Sequence, residues 1–277
     1  MELRRRTALI AGGGILVAAL VVVLLLRPRD FGALDLPSPN GYDDFLSAAY
    51  ALRGEAVDYE SDSALEALVS TNSESYARVL SGLTKHCRVP IRIDRGYPAA
   101  HGGHCSDLPR LKRLTHTLVA RAEVARRQGR IAEAAEAYRE AYAFATRIGQ
   151  GGLVVDFLVQ IACEAIVLHH FRALIPDLTA EQCAEMLRVM EQAENDKEGW
   201  RVVAARQRRW DRAVFSSRER VAHFWARVGM AIRDRSWKPL RGESVKLRDA
   251  ETKCRNQCVV PVMSILRGRS EGVKVGP

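Results

Sequence analysis

The chain has 277 residues, 42 Lys and Arg against 33 Asp and Glu for a formal net charge of +9, and 47% hydrophobic residues. That hydrophobic share excludes a disordered chain, a collagen-like fibre and a multi-span membrane protein. Six cysteines are too few for a small disulfide-built scaffold, and aromatics at 6% with plentiful Ala, Leu and Arg favour helix over sheet.

Thr7 to Leu26 is an uncharged run bracketed by Arg4-Arg5-Arg6 and by Arg27 and Arg29. Twenty helical residues rise about 30 Å, the thickness of a bilayer's hydrocarbon core. A soluble helix needs a polar face, and this run has none. A cleaved signal peptide would have a shorter apolar region ending in a small-x-small site, whereas this one ends in Leu-Leu-Leu-Arg-Pro-Arg. Residues 1–29 therefore read as a retained transmembrane anchor with arginine flanks. The arginines before the span outnumber those just after it, which places the N-terminus in the cytoplasm and the bulk of the chain on the extracytoplasmic side of the inner membrane.

Residues 30–39 form a Pro-punctuated linker, and 40–267 read as one α-helical soluble domain followed by a flexible tail, 268–277. Asn40 is an N-cap, with Asp43 and Asp44 in the first turn of a helix running to about Arg53. Asp62 and Asn72 look like caps of two short helices carrying Leu65, Leu68, Tyr76, Val79 and Leu83. Lys85 to Asp107 is the long irregular stretch, and Arg88 to Ile93 within it is the only weak strand candidate. From Leu108 helical patterning dominates, broken at Gly129, at Gly149-Gln150-Gly151-Gly152 and at Pro176. Thr179 with Gln182 makes a capping box. The expected class is all-α: one N-terminal transmembrane helix followed by a helical bundle.

Residues 115–148, within an expected hairpin over 108–148, resemble one tetratricopeptide repeat. Leu118, Ala122 and Ala125 share a face of the first helix, Gly129 makes the turn, and Ala134, Tyr138 and Ala141 line the second. Small residues let two antiparallel helices approach closely, and Gly tolerates the tight turn. Thr115, Ala125 and Thr146 depart from the repeat's usual Trp, aromatic and Pro. The pattern does not recur downstream, so an isolated αα-hairpin in an irregular bundle is the alternative. The anchor, the run Leu36-Pro37-Ser38-Pro39-Asn40-Gly41-Tyr42-Asp43-Asp44-Phe45 and the glycine break before Leu153 resemble single-pass, membrane-anchored helical proteins of bacteria. That resemblance implies location and fold, and no activity.

Charge is segregated. Residues 30–86 carry a net charge of −7 and residues 197–277 a net charge of +12. All four tryptophans, Trp200, Trp210, Trp225 and Trp237, lie in the basic third. Residues 198–233 read as one basic, Trp-bearing amphipathic helix whose apolar positions follow three-, four- and seven-residue steps. Its stripe packs on the bundle, or it lies against anionic lipid, or it docks to an acidic partner. Trp210, Arg206, Arg209, Arg212 and Trp225 are the candidate partner or lipid surface. Nucleic acid is not expected, because an exported domain does not meet it.

The chemical motifs are sparse. Cys87, His101, His104 and Cys105 sit in the irregular stretch, where a tetrahedral zinc site and a Cys87–Cys105 disulfide compete with plain thiols. Cys254 and Cys258 are four apart, beyond the spacing of a CxxC motif. Cys163 and Cys183 lie in apolar helix. Glu164 sits in an otherwise apolar helix and needs a partner if buried. His169 and His170 are adjacent and point apart. There is no P-loop, GxSxG or HExxH. The expectation is a non-enzymatic, envelope-located scaffold or protein-interaction module without cofactor. The alternatives are a metal-dependent hydrolase built on loop 86–105 and an anionic-lipid-binding or self-assembling membrane protein.

Overall fold

The computed structural model describes residues 35–54, 58–91, 105–215 and 243–271, with backbone alone for 243–247. The anchor, His101, His104 and Trp225 lie outside the described residues. Among the described residues every regular element is helical: α1 (Gly41–Ala51), α2 (Asp62–Thr71), α3 (Ser73–Leu83), α4 (Leu108–Arg127), α5 (Ile131–Arg147), α6 (Val154–Phe171), α7 (Ala180–Asp196), α8 (Trp200–Val214), α9 (Glu243–Cys254) and α10 (Val260–Ser270). A 3-10 turn at Ile175–Asp177 precedes α7, and a π-turn at Arg255–Val259 joins α9 to α10.

The centre is the trio α4, α5 and α6. The pair α1 and α3 packs on one side of it, α7 and α10 on another, and α8 and α9 close over α6. The α4–α5 hairpin forms where the residues demand it. Gly129 turns with φ +72°, and its neighbour Arg130 donates its backbone N–H to the carbonyl of Ala125 (2.9 Å). Leu118, Ala122, Ala125, Ala134, Tyr138 and Ala141 are all buried in the core, the alanines allowing the close approach. Buried Glu123 between them accepts hydrogen bonds from the Tyr138 hydroxyl and from Arg126 (2.9 Å).

Helix α6 is, among the described residues, the one long and apolar enough to cross a membrane. Its apolarity has a simpler cause: α4, α5, α8 and α9 all pack on it, and Asp156, Gln160 and Glu164 are buried along it.

Several local expectations hold. Asn40 accepts from the backbone N–H of Tyr42 (3.2 Å), and the Thr179–Gln182 box closes in both directions (3.2 and 2.9 Å). Cys163 and Cys183 are fully buried. Other expectations are corrected. Helix α2 is capped by Ser61 rather than Asp62, while the Asn72 side chain leaves its own helix to donate to the carbonyls of Arg53 and Leu68. The expected single helix over 198–233 ends at Val214, because Phe215 is extended (φ −78°, ψ 130°). The strand candidate is an extended segment that bonds a turn: Val89 donates to the carbonyl of Gln150 (2.8 Å). The final helix runs to Ser270, three residues into the expected tail.

Helices α1 and α3 touch through glycine. A Cβ on Gly82 would stand 2.6 Å from the Phe45 ring and 2.9 Å from the carbonyl oxygen of Gly41. Phe45 cannot retreat, since its ring packs edge-on against Phe144 at 4.9 Å. Helix propensity favours Gly82→Ala by about 1 kcal/mol, while overpacking costs about 1–3 kcal/mol. The clash is expected to win, so Gly82→Ala lowers the denaturation midpoint. A raised midpoint would mean that α1 and α3 are not in contact here.

Candidate functional site

One face of α5 packs into the hairpin, and the adjoining face looks toward α7. Between α5 and α7 the surface opens into a groove of about 500 Å³ floored by Ala135, Phe171, Leu178 and Met186, with Ala132 at its edge. A second hollow of about 310 Å³ continues along the same helices, lined by Ala143, Thr146, Val189 and Ala193. Arg139 and Arg188 line both hollows, so ion pairs divide one continuous channel. Arg139 pairs with Glu136 and reaches Glu185 (3.4 Å), and Arg188 holds Glu185 at 2.7 Å. The hydrogen bond from Arg188 keeps the Glu185 carboxyl below its usual range. Surface pairs of this kind contribute only about 0–1 kcal/mol each. A ligand therefore displaces them at small cost while covering the apolar floor. This groove depends on how two helices far apart in sequence are placed, and no sequence motif marks it.

A polar knot ties the front of the domain together. The Arg88 side chain packs on Gly151, where a Cβ would stand 2.3 Å from its Cγ, and Arg88 donates to the carbonyl of Asp35 (3.1 Å). Asn40 holds the Arg88 backbone in both senses (2.8 and 3.0 Å). Gly151 donates to Glu198 (3.1 Å), and Arg206 bridges Glu198 (2.5 Å) and the carbonyl of Gly152 (2.7 Å). Asp156 accepts from the backbone of Leu153 (2.6 Å), and Gln207 from that of Val154 (3.1 Å). The segment that begins at Asp35 and the glycine break, read separately in the sequence, thus meet on Arg88.

This knot relocates two residues expected on a binding surface. Arg206 is buried in it, and Trp210 is 1% exposed, packed with Ile91, Leu153 and Val214. Arg209 and Arg212 are exposed on the opposite face of α8, together with Arg201 and Arg208.

Glu164 is fully buried and finds a partner that spacing could not reveal: Lys197, 33 residues on, at 2.7 Å, with Gln160 donating to the other carboxylate oxygen (2.8 Å). Burial pushes the Glu164 carboxyl up, and Lys197 only partly offsets it. Burial also opposes the Lys197 charge, but Glu164 and Glu194 outweigh it and hold the ammonium above its usual range. Glu164 has no exposure and the Lys197 side chain is 10% exposed, so this pair belongs to the core. A second polar group sits under the hairpin's end. The Tyr59 ring stacks on His170 (4.4 Å), and its hydroxyl lies 3.2 Å from Nδ1 of His116. Burial holds both histidines below their usual range and so neutral at pH 7.

The cysteine loop is only partly described. No Cys87–Cys105 bond is formed: the Cys87 thiol donates to the carbonyl of Arg147 (3.4 Å), and burial pushes it up to about 12, the opposite of a reactive thiolate. Among the described residues no group of three or more His, Cys, Asp or Glu is arranged to hold a metal ion. Cys254 immediately precedes the π-turn and Cys258 lies within it, and both pack at the apolar cluster of Phe157 and Ile161. The rings of His169 and His170 stand nearly perpendicular (85°), as adjacent helical positions require.

Comparison with protein-family models, with curated proteins and with solved structures finds no match to this chain.

Proposed function

We propose that this protein is a single-pass inner-membrane protein, N-terminus in the cytoplasm, whose extracytoplasmic helical domain binds a segment of a partner protein and performs no catalysis. The groove between α5 and α7 carries the reading: an apolar floor in two connected hollows, bordered by exposed ion pairs that yield at small cost. The length and arginine flanks of Thr7–Leu26 support the anchor. The α4–α5 hairpin is a tetratricopeptide-like unit in this reading, one helix pair packed inward through alanines and presenting α5 outward.

Topology is tested with reporters fused to the C-terminus, one active only in the cytoplasm and one only outside it. Activity of the cytoplasmic reporter alone would overturn the location. The groove is tested by placing a photo-crosslinking residue at Arg188 and, as control, at Glu66 on α2, in intact membranes. One discrete adduct is expected from Arg188 and not from Glu66. Ala132 is exposed on the groove's edge, so Ala132→Trp is expected to change stability by no more than about 0.5 kcal/mol. Filling the groove should nonetheless abolish that adduct. Adducts unchanged by Ala132→Trp, or identical from both positions, would sink the groove as the binding site.

A further inference from the structure

We propose that the exposed face of α8 docks on anionic lipid headgroups of the membrane that holds the anchor, fixing how the domain is rolled over the bilayer. This rests on the anchored reading above.

Three observations carry it. The first is the face itself. Arg201, Arg208 and Arg212 follow seven- and four-residue steps along one side of α8, with Arg209 and half-exposed Val202 beside them. Trp200 lies under Arg201, whose guanidinium sits 5.5 Å from the indole centre. The buried stripe, Val203, Arg206, Trp210 and Val214, is on the opposite side, so the arginine face is turned away from the bundle.

The second is the tether. Only five residues, six Cα–Cα steps, separate Arg29, the last flanking arginine of the anchor, from Asp35, which Arg88 holds on the domain. Fully extended, six steps reach at most about 21 Å. The domain therefore sits almost on the bilayer.

The third is which part of the domain the tether brings there. Asp35 is joined to α8 by consecutive contacts, from Arg88 to Gly151, from Gly151 to Glu198, and from Glu198 to Arg206. The helix knit to the point where the chain leaves the membrane is the one carrying the arginines.

Phosphate headgroups suit this face: guanidinium groups pair with phosphate bidentately, while Trp and an exposed aliphatic side chain favour the interfacial zone. Each arginine near an anionic surface multiplies the docked population by roughly fivefold. Such a gain is too weak to recruit a free domain, but the anchor supplies a high local concentration. The groove is lined by α5 and α7 together with Leu83, Gln150, Phe171 and Leu178, with no residue from α8. Docking thus leaves it open.

The test reconstitutes the full chain into vesicles of phosphatidylcholine alone or rich in phosphatidylglycerol. A fluorophore on Val202→Cys is quenched by headgroup-spin-labelled lipid, with the labelled native chain as background. Flotation with both vesicle types is expected and reports the anchor alone; failure to float would overturn the anchored reading and the inference with it. Given flotation, quenching should be at least about threefold stronger on phosphatidylglycerol, and should fall to the phosphatidylcholine level in about 0.5 M NaCl, where the Debye length is about 4 Å. The variant Arg201→Gln/Arg208→Gln/Arg209→Gln should lose that excess, and Arg201→Lys/Arg208→Lys/Arg209→Lys should retain most of it. Equal quenching on the two lipids, or an excess that survives the glutamine variant, would overturn the proposal while leaving the anchor standing.

Discussion

Lys197→Met is expected to destabilise the domain by about 3–5 kcal/mol, because it leaves the Glu164 carboxylate buried without its counter-charge. For a domain of this size that is a fall in Tm of about 10 °C. Glu164 has no exposure through which water could replace the ammonium, and Gln160 satisfies only one of its oxygens. Glu194 stands 3.6 Å from the same ammonium and would add repulsion. The penalty should depend on pH in a defined direction. Without Lys197 the folded-state pKa of Glu164 rises further above its unfolded value, so protonation favours the folded form. That contribution is fully present below the unfolded pKa and is lost as pH rises through the folded one. The variant should therefore approach the parent protein in stability toward pH 4–5, near the ordinary glutamate value of about 4.3. Glu164→Leu/Lys197→Met, which removes both charges, should lie much closer to the parent than either single change. Thermal unfolding of the detergent-solubilised chain, followed by circular dichroism across pH, reads all three. A penalty independent of pH, shared equally by the double variant, would show that the two side chains do not form a buried pair.

What was legible in the sequence was what a few neighbouring residues decide. Asn40, the Thr179–Gln182 box and Gly129 each act within one helical turn, and each does what its residue type demands. The hairpin's small residues were legible for the same reason: Ala122, Ala125, Ala134 and Ala141 fall on faces set by helical period alone, and they pack as that period requires. Whatever depends on the angle between distant elements was not. Lys197 follows the end of α7 in a charged stretch, and nothing in its spacing pairs it with Glu164. Asn72 has the chemistry of an N-cap, yet the neighbouring Arg53 backbone offers better partners. The α5–α7 groove depends on how two helices far apart in sequence are placed, with alanine at the floor where a larger residue would have filled it. The 198–233 helix was overextended because an apolar stripe with seven-residue steps passes through Phe215 without registering that the backbone turns there.

Trp210→Ala is expected to cost about 3–5 kcal/mol, whereas Arg209→Ala, one residue before it, should stay within about 0.5 kcal/mol. From periodicity alone the two side chains are equivalent candidates for a surface, since an amphipathic helix declares which residues share a face and not what covers that face. The structure separates them. Trp210 fills the space between Ile91, Leu153 and Val214, clamping the segment after Arg88 to the start of α6, while Arg209 is exposed on the other side of the same turn. Removing the indole empties a cavity that Ile91 and Leu153 cannot readily close, because Leu153 is bonded to Asp156 and follows Gly152, which Arg206 holds, while Val89, two residues before Ile91, is bonded to Gln150. Loss of Trp210 should therefore loosen segment 86–91 before the α4–α5 hairpin unfolds, seen as faster amide hydrogen exchange at Val89, whose bond to Gln150 depends on that clamp. Unchanged exchange at Val89 with a fall in stability under 1 kcal/mol would mean that Trp210 is not a core residue. The same pair of variants divides the two roles of α8. The indole side sets stability whatever the lipid, and the guanidinium side sets only the response to anionic lipid and salt. On the proposed docking, one helix holds the domain together on one face and its position over the membrane on the other.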